Sequence, residues 1–249
     1  MTGPRTGPRV VMIIQARMGS TRLPGKSMMD LAGAPLIARL IERVKRCSRI
    51  DAIVLATTEK AEDDVLARVA GDCGVHVFRG SEDDLVDRYH KAAVAHEADV
   101  IVRIPGDNPV PEPDEIDRLI RYHVESGNDF SSSYPDVFEN GYPDGIGAEA
   151  FTLRALERVR RMATDRRNRE HPHTIFYEHP EAFKIGTIEC PEEFRRPDLV
   201  LDVNTLEQYR FMADLYAYLY PRNPEFHIID VIRWYDAVYR VSKDPAVTA

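Results

Sequence analysis

The chain has 249 residues, 43% of them hydrophobic and 30% charged, with a formal net charge of -8. That balance suits a soluble globular protein and excludes a general nucleic-acid binder, whose surface would be basic. No apolar run approaches the roughly 20 residues of a membrane helix, and the scattered Cys47, Cys73 and Cys190 form no Cys-x-x-Cys pair, as expected of reduced, buried thiols in a cytoplasmic protein.

Residues 1–9, rich in Gly, Pro and Arg, read as a disordered tail that is neither signal peptide nor anchor, with one domain over 10–249. Val10 to Ile14 is an apolar run of the kind found in a buried central strand. A polar loop, Gln15 to Lys26, leads to a helical pattern over Pro35–Cys47 with Leu36, Ile37, Leu40, Ile41 and Val44 on one face. A strand at Ile53–Ala56, closed by Thr57-Thr58, precedes a helix over Glu62–Ala70 and a short strand at Val75–Phe78. Ser81 is placed to cap a helix reaching about Glu97. The strand Val100–Ile104 ends in Pro105-Gly106-Asp107-Asn108-Pro109, and a helix spans Pro113–Ser126. This alternation of doubly apolar strands and helices predicts an α/β, Rossmann-like, mostly parallel sheet sandwiched by helices, with its ligand at the carboxyl ends of the strands. Arg17 to Lys26, Thr57-Thr58 and Asp107 all fall at such ends.

The second half is less regular. A strand is expected at Phe130–Tyr134, a Gly/Pro/Asp-rich loop over 135–147, and helices over Phe151–Met162 and Thr174–Glu178, with a charged segment at Arg166–Glu170. Strands are expected at Phe183–Ile188 and Asp198–Val203, and closing helices at Leu206–Tyr220 and Ile228–Tyr239. Residues 135–179 stand out as an excursion from the main sheet.

The loop after the first strand carries Arg17, Arg22 and Lys26, the hydroxyls Ser20 and Thr21, and Gly19 and Gly25. Glycines let a backbone approach a ligand closely, and grouped cations with hydroxyls suit a polyphosphate. The spacing is not that of a Walker A loop: five residues separate Gly19 from Gly25-Lys26-Ser27, where that motif has four. Asp107, at a strand's carboxyl end facing this loop, is suited to Mg²⁺, which takes one or two carboxylates together with substrate phosphates. Asp202 and Asn204 share one face of an extended segment, and Thr205 is placed to cap the helix that follows. His171 and His173, with distant His179, match no metal-ligand spacing. Arg169 or His171 could instead reach a carboxylate or phosphate of a substrate.

R-x-G-S-x-R-L-P-G-K after a buried strand resembles the nucleotide loop of the CMP-sugar synthetases, the acylneuraminate and Kdo cytidylyltransferases. The likeness extends over about Val10 to Tyr209, nearest to SpsF-like members: Phe78 to Tyr89 resembles F-R-G-S-x-D-D-V-L-D-R-Y, Arg103 to Pro109 resembles R-I-T-G-D-C-P, Tyr142 to Phe151 resembles P-D-G-L-D-V-E-V-F, and Arg169-Glu170-His171 matches R-E-H. Gly147 replaces an acid of that pattern, and Asn204 stands where the more widely shared aspartate of the late motif aligns. The resemblance implies CTP-dependent cytidylyl transfer to a small-molecule acceptor, with Mg²⁺ on Asp107 and Asp202. It implies nucleotide contacts from Gln15, Ala16, Arg17, Gly19, Ser20, Arg22, Gly25, Lys26, Thr57, Thr58 and Arg103. Arg17, Arg22, Lys26 and Asp107 would carry catalysis, and Asp144, Glu149, Arg169 and His171 would meet the acceptor. It further implies a homodimer with 135–179 at the interface. Two other classes are open to the same residues: a GT-A-like glycosyltransferase, and a non-catalytic nucleotide-binding protein.

Overall fold

A computed structural model describes residues 7–240. Its main sheet has seven strands in the order β5-β4-β1-β6-β8-β7-β9. β1 (Val10–Gln15) lies in the middle and pairs in parallel with β4 (Ala52–Thr58) and β6 (Val100–Pro105). Between β1 and β4 come a small ribbon of β2 (Asp30–Leu31) and β3 (Ala34–Pro35), then α1 (Leu36–Val44). α2 (Asp64–Asp72) leads into β5 (His76–Gly80), and α3 (Leu85–Ala95) leads into β6. The parallel half therefore follows the expected doubly wound pattern.

Alternation along β1 builds two cores. Val10, Met12 and Ile14 join α1, α2, α4 (Pro113–Ser126) and the C-terminal helices on one face. Val11 and Ile13 join α3 on the other, with Phe130, Phe151 and Phe176. Each β1 side chain is thus buried whichever way it points, which is why the run reads as uniformly apolar.

The structure departs from the expected pattern at several places, most of them in the second half. β7 (Phe130–Ser132) is followed by the single turn α5 (Pro135–Phe138), and the chain returns as β8 (Glu149–Thr152), antiparallel to both β6 and β7. Phe151 is therefore a strand residue, and α6 (Leu153–Met162) starts after it, capped by the Thr152 hydroxyl. The helix that Ser81 was expected to cap begins instead at Leu85, where Asp84 accepts from the Asp87 amide. Ser81 Oγ accepts from the Asp84 amide one turn earlier, at 3.1 Å. The short helix α8 (Thr174–Glu178) lies where expected, whereas the charged segment forms a helical turn of its own, α7 (Arg166–Glu170); both come ahead of β9 (Ile185–Thr187). Residues 198–203 make no strand; only Val200 bridges to Asp144. α9 (Leu206–Leu219) opens with a Thr205–Gln208 capping box, and α10 (Ile228–Trp234) runs on into a π-helical turn over Tyr235–Tyr239.

Of the expected tail, residues 1–6 lie outside the described residues; Arg9 donates through Nε to the His96 carbonyl at 2.7 Å. Cys190 is buried, whereas Cys47 and Cys73 are half-buried, against the expectation for all three. Among the described residues no helix is long and apolar enough to cross a membrane.

Candidate active site

The carboxyl ends of β1 and β6 are drawn together by a close backbone approach. Gly106 N donates to the Gln15 carbonyl at 2.8 Å, and a Cβ at position 106 would fall 2.5 Å from that oxygen. Only glycine fits there, and the fit brings Asp107 beside the loop that follows β1.

That loop is folded on itself and pinned from behind. The amides of Ser20 and Gly25 donate to the Met18 carbonyl at 2.8 and 3.1 Å, and Leu23 N donates to Ser20 Oγ at 3.3 Å. Those three N–H groups serve the loop itself rather than a ligand. Buried Asp63 accepts from Met18 N at 2.7 Å and from the Thr58 hydroxyl, tying the loop to the end of β4.

A crevice of about 250 Å³ opens where these ends meet. Of the residues singled out from the sequence, Gln15, Ala16, Arg17, Ser20, Arg22 and Lys26 line it. Asp107 and His171 complete that set. Gly19 and Gly25 belong to the loop without lining the crevice. Thr57 and Thr58 are buried behind it, and Asp144, Glu149, Arg169 and Asp202 lie outside its lining. Arg169 instead donates to Asp84 at 3.1 Å and to the Arg160 carbonyl.

At the floor, buried Lys26 donates to Asp107 Oδ2 at 2.6 Å, the Val203 carbonyl at 2.8 Å and Asn204 Oδ1 at 2.9 Å. Val203 N in turn donates to the Asp107 carbonyl at 2.9 Å, which anchors the 202–204 segment beside the end of β6. The Asn204 amide donates to one Asp202 oxygen and the Gln208 amide to the other. Asp202 therefore reaches the floor through Asn204.

Above the floor, Arg17 lies 3.6 Å from Glu82 and 3.5 Å from Glu170, and Glu82 also holds Lys60 at 2.5 Å. Among the described residues Arg22 is exposed and forms no ion pair. Arg88 went unremarked as a site residue at the sequence level. It lines the crevice while only 4% exposed; one NH donates to the Ser81 carbonyl at 3.0 Å and its Nε has no partner among the described residues. Burial pulls its pKa below the ordinary arginine value. A signal for it existed: Arg88 interrupts the apolar stripe of α3 between Leu85 and Ala92, where a cation needs a reason.

Behind the crevice lies a second polar cluster. Gln15 Oε1 accepts from Tyr89 OH at 2.8 Å and from Arg103 Nε at 3.1 Å. Arg103 pairs with Glu149 at 2.7 Å, its cross-strand neighbour, with both side chains buried. Burial disfavours the guanidinium, yet Glu149, together with Tyr89 and Tyr134, more than offsets it and the Arg103 pKa ends above its ordinary value. His173 Nδ1 lies 3.9 Å from Glu149, and burial pushes that imidazole down to about 4. Desolvation also lowers the pKa of His171. Gly147, where the resembling pattern has an acid, leaves no room for one: a Cβ there would meet Ser133 Oγ at 2.5 Å.

The fold has close counterparts among known proteins. A model of the family described as cytidylyltransferase matches residues 11–222. The spore coat polysaccharide biosynthesis protein SpsF of Bacillus subtilis is 35% identical over 212 residues, covering 83% of this chain and 86% of its own. A cytidylyltransferase structure from Leptospira borgpetersenii superposes with a TM-score of 0.83 at 30% identity, covering 96% of each chain. A CMP:2-keto-3-deoxy-manno-octonic acid synthetase solved with CTP shares the fold, with a TM-score of 0.64 at 18% identity over 84% of this chain and 98% of its own. The family match runs from β1 through α9 and takes in every element that shapes the crevice, so the chain belongs to the cytidylyltransferase family, in its SpsF-like branch, and is a nucleotidyltransferase.

Proposed function

We propose that the protein transfers the cytidylyl group of CTP, with Mg²⁺, to an oxygen of a sugar acid or a related polyol-phosphate or phosphonate. Pyrophosphate is released, and the CMP-activated product serves surface polysaccharide or glycoconjugate biosynthesis. The observation that carries this reading is the gathering of Arg17, Arg22, Lys26 and Asp107 around one crevice. The named role of SpsF in polysaccharide synthesis supports the product class.

The donor set fits a hard divalent ion: a carboxylate, a backbone carbonyl and an amide carbonyl converge on one cationic point, the Lys26 ammonium, at 2.6–2.9 Å. Asp107 would hold the ion, with Asp202 acting from behind Asn204. When bound, Mg²⁺ offsets charge on the phosphates and the departing pyrophosphate. The chain's own residues do the rest by positioning. Arg17, Arg22 and Lys26 hold the β- and γ-phosphates. Cytosine contacts fall to the backbone near Ala16, with Thr58 and Asp63 bracing the loop. His171 meets the acceptor from the opposite wall. An acceptor oxygen bonds to the α-phosphorus as the bond to the bridging oxygen breaks, and the electron pair leaves on pyrophosphate. We also read the protein as a cytoplasmic homodimer joined through 135–179, which light scattering at micromolar concentration tests.

The deciding experiment is pyrophosphate release with Mg²⁺, each of the four NTPs, and a panel of sialic, Kdo-like, polyol-phosphate and phosphonate acceptors. Release with CTP and one acceptor class establishes the reaction. Failure to bind CTP overturns it.

A further inference from the structure

The Lys26 ammonium has three N–H donors, and all three are spent on the floor of the crevice. None is left for a phosphate in this arrangement. The acceptors it engages are the same kind of oxygens a divalent ion takes, and one of them is the Asp107 carboxylate. A lysine ammonium and a divalent cation repel each other too strongly to share that oxygen at these distances.

Charge balance points the same way. Of the three acceptors only Asp107 is anionic, so Lys26 neutralises the shell one for one. Asn204 contributes a neutral carbonyl where an aspartate would leave surplus negative charge. Asp202, with its oxygens on the Asn204 and Gln208 amides, stands one step back. Lys26 is 8% exposed and its side chain is anchored at the head. It also springs from the turn that closes the cationic loop, within reach of whatever Arg17 and Arg22 bind.

Resting on the reading that this crevice takes a nucleoside triphosphate and a divalent ion, we propose that Lys26 is the resident cation of the metal shell. Its transfer to the triphosphate frees Asp107, so divalent-ion and nucleotide binding are coupled through this one side chain. The coupling is reciprocal: each ligand raises the affinity for the other by the same factor. Asn204 sets its strength, because a neutral residue there leaves the shell unattractive to a divalent ion until the ammonium departs.

The test is Mn²⁺ titration of the full chain, followed by electron paramagnetic resonance, without nucleotide. K26M should bind Mn²⁺ at least about tenfold more tightly than the wild type, and the gain should vanish in K26M/D107N. K26Q should behave like K26M, and covers the case in which K26M fails to fold. N204D should tighten Mn²⁺ binding severalfold with Lys26 still in place. If neither K26M nor K26Q gains affinity, while D107N still weakens Mn²⁺ binding in the presence of CTP, the coupling through Lys26 is overturned and the crevice reading stands. If D107N has no effect on Mn²⁺ binding even with CTP, both fall.

Discussion

Strand β6 presents two charged residues, Arg103 within the strand and Asp107 just past its end, and each is met by an opposite charge from a distant part of the chain. The Arg103–Glu149 pair is 2.7 Å apart, with side chains 7% and 3% exposed. The Asp107–Lys26 pair is as close, at 2.6 Å, but Asp107 keeps 21% of its side chain exposed to the crevice. The first pair is held between two strands in fixed register and sealed behind Gln15; nothing from solvent can exchange with either partner. The second joins the segments that follow two different strands and opens on the crevice. The same chemistry a few residues apart thus becomes a structural brace in one case and an exchangeable contact in the other, and backbone regularity together with solvent access decides which.

Breaking the sealed pair should produce the largest change in stability. Glu149→Ala leaves a buried guanidinium uncompensated and should destabilise the fold by about 3–5 kcal/mol in urea denaturation. Replacing both partners together with apolar residues, as R103M/E149L, should cost much less, because no buried charge is left unpaired. Breaking the open pair should do the reverse. Asp107→Asn should lower kcat by about 10³-fold, on the order of 4 kcal/mol in transition-state stabilisation, with stability changed by less than about 1 kcal/mol. Asp202→Asn, acting through Asn204, should have a smaller effect; the opposite ranking would contradict the assignment of Asp107 as the metal carboxylate.

Acid sensitivity should follow the sealed cluster. Burial holds His173 neutral down to about pH 4, against an ordinary value of 6.5. Between those values the unfolded chain binds a proton that the folded chain refuses, so stability falls as pH drops through this window and levels off below it. The loss is about 2–3 kcal/mol. Denaturation at pH 7 and 4.5 measures it, and His173→Gln should flatten the limb. The smallest effect is expected at the rim. Arg22→Ala should lower kcat by about tenfold, or ~1.4 kcal/mol, with the melting temperature unchanged; a change confined to KM would place Arg22 in ground-state binding.

What the sequence determined by itself is local. Parallel strands buried on both faces show as apolar runs, so β1, β4 and β6 were legible, and with them the Arg17–Lys26 loop and Asp107 at the ends of the strands. The helical pattern from Pro113 to Ser126 was legible too, and α4 spans those residues. The rest depended on contacts between residues far apart in the chain. Phe151 reads as helical beside Leu156 and Val159, but pairing with β6 and β7 makes it a strand residue. Residues 198–203 alternate like a strand, yet find only one bridge. No local pattern tells that Arg103 will face Glu149 or that Lys26 will bind Asp107 and Asn204. Those pairings are set by register and chain closure, which a one-dimensional pattern does not carry, and they decide which charges are fixed and which are free to meet a ligand.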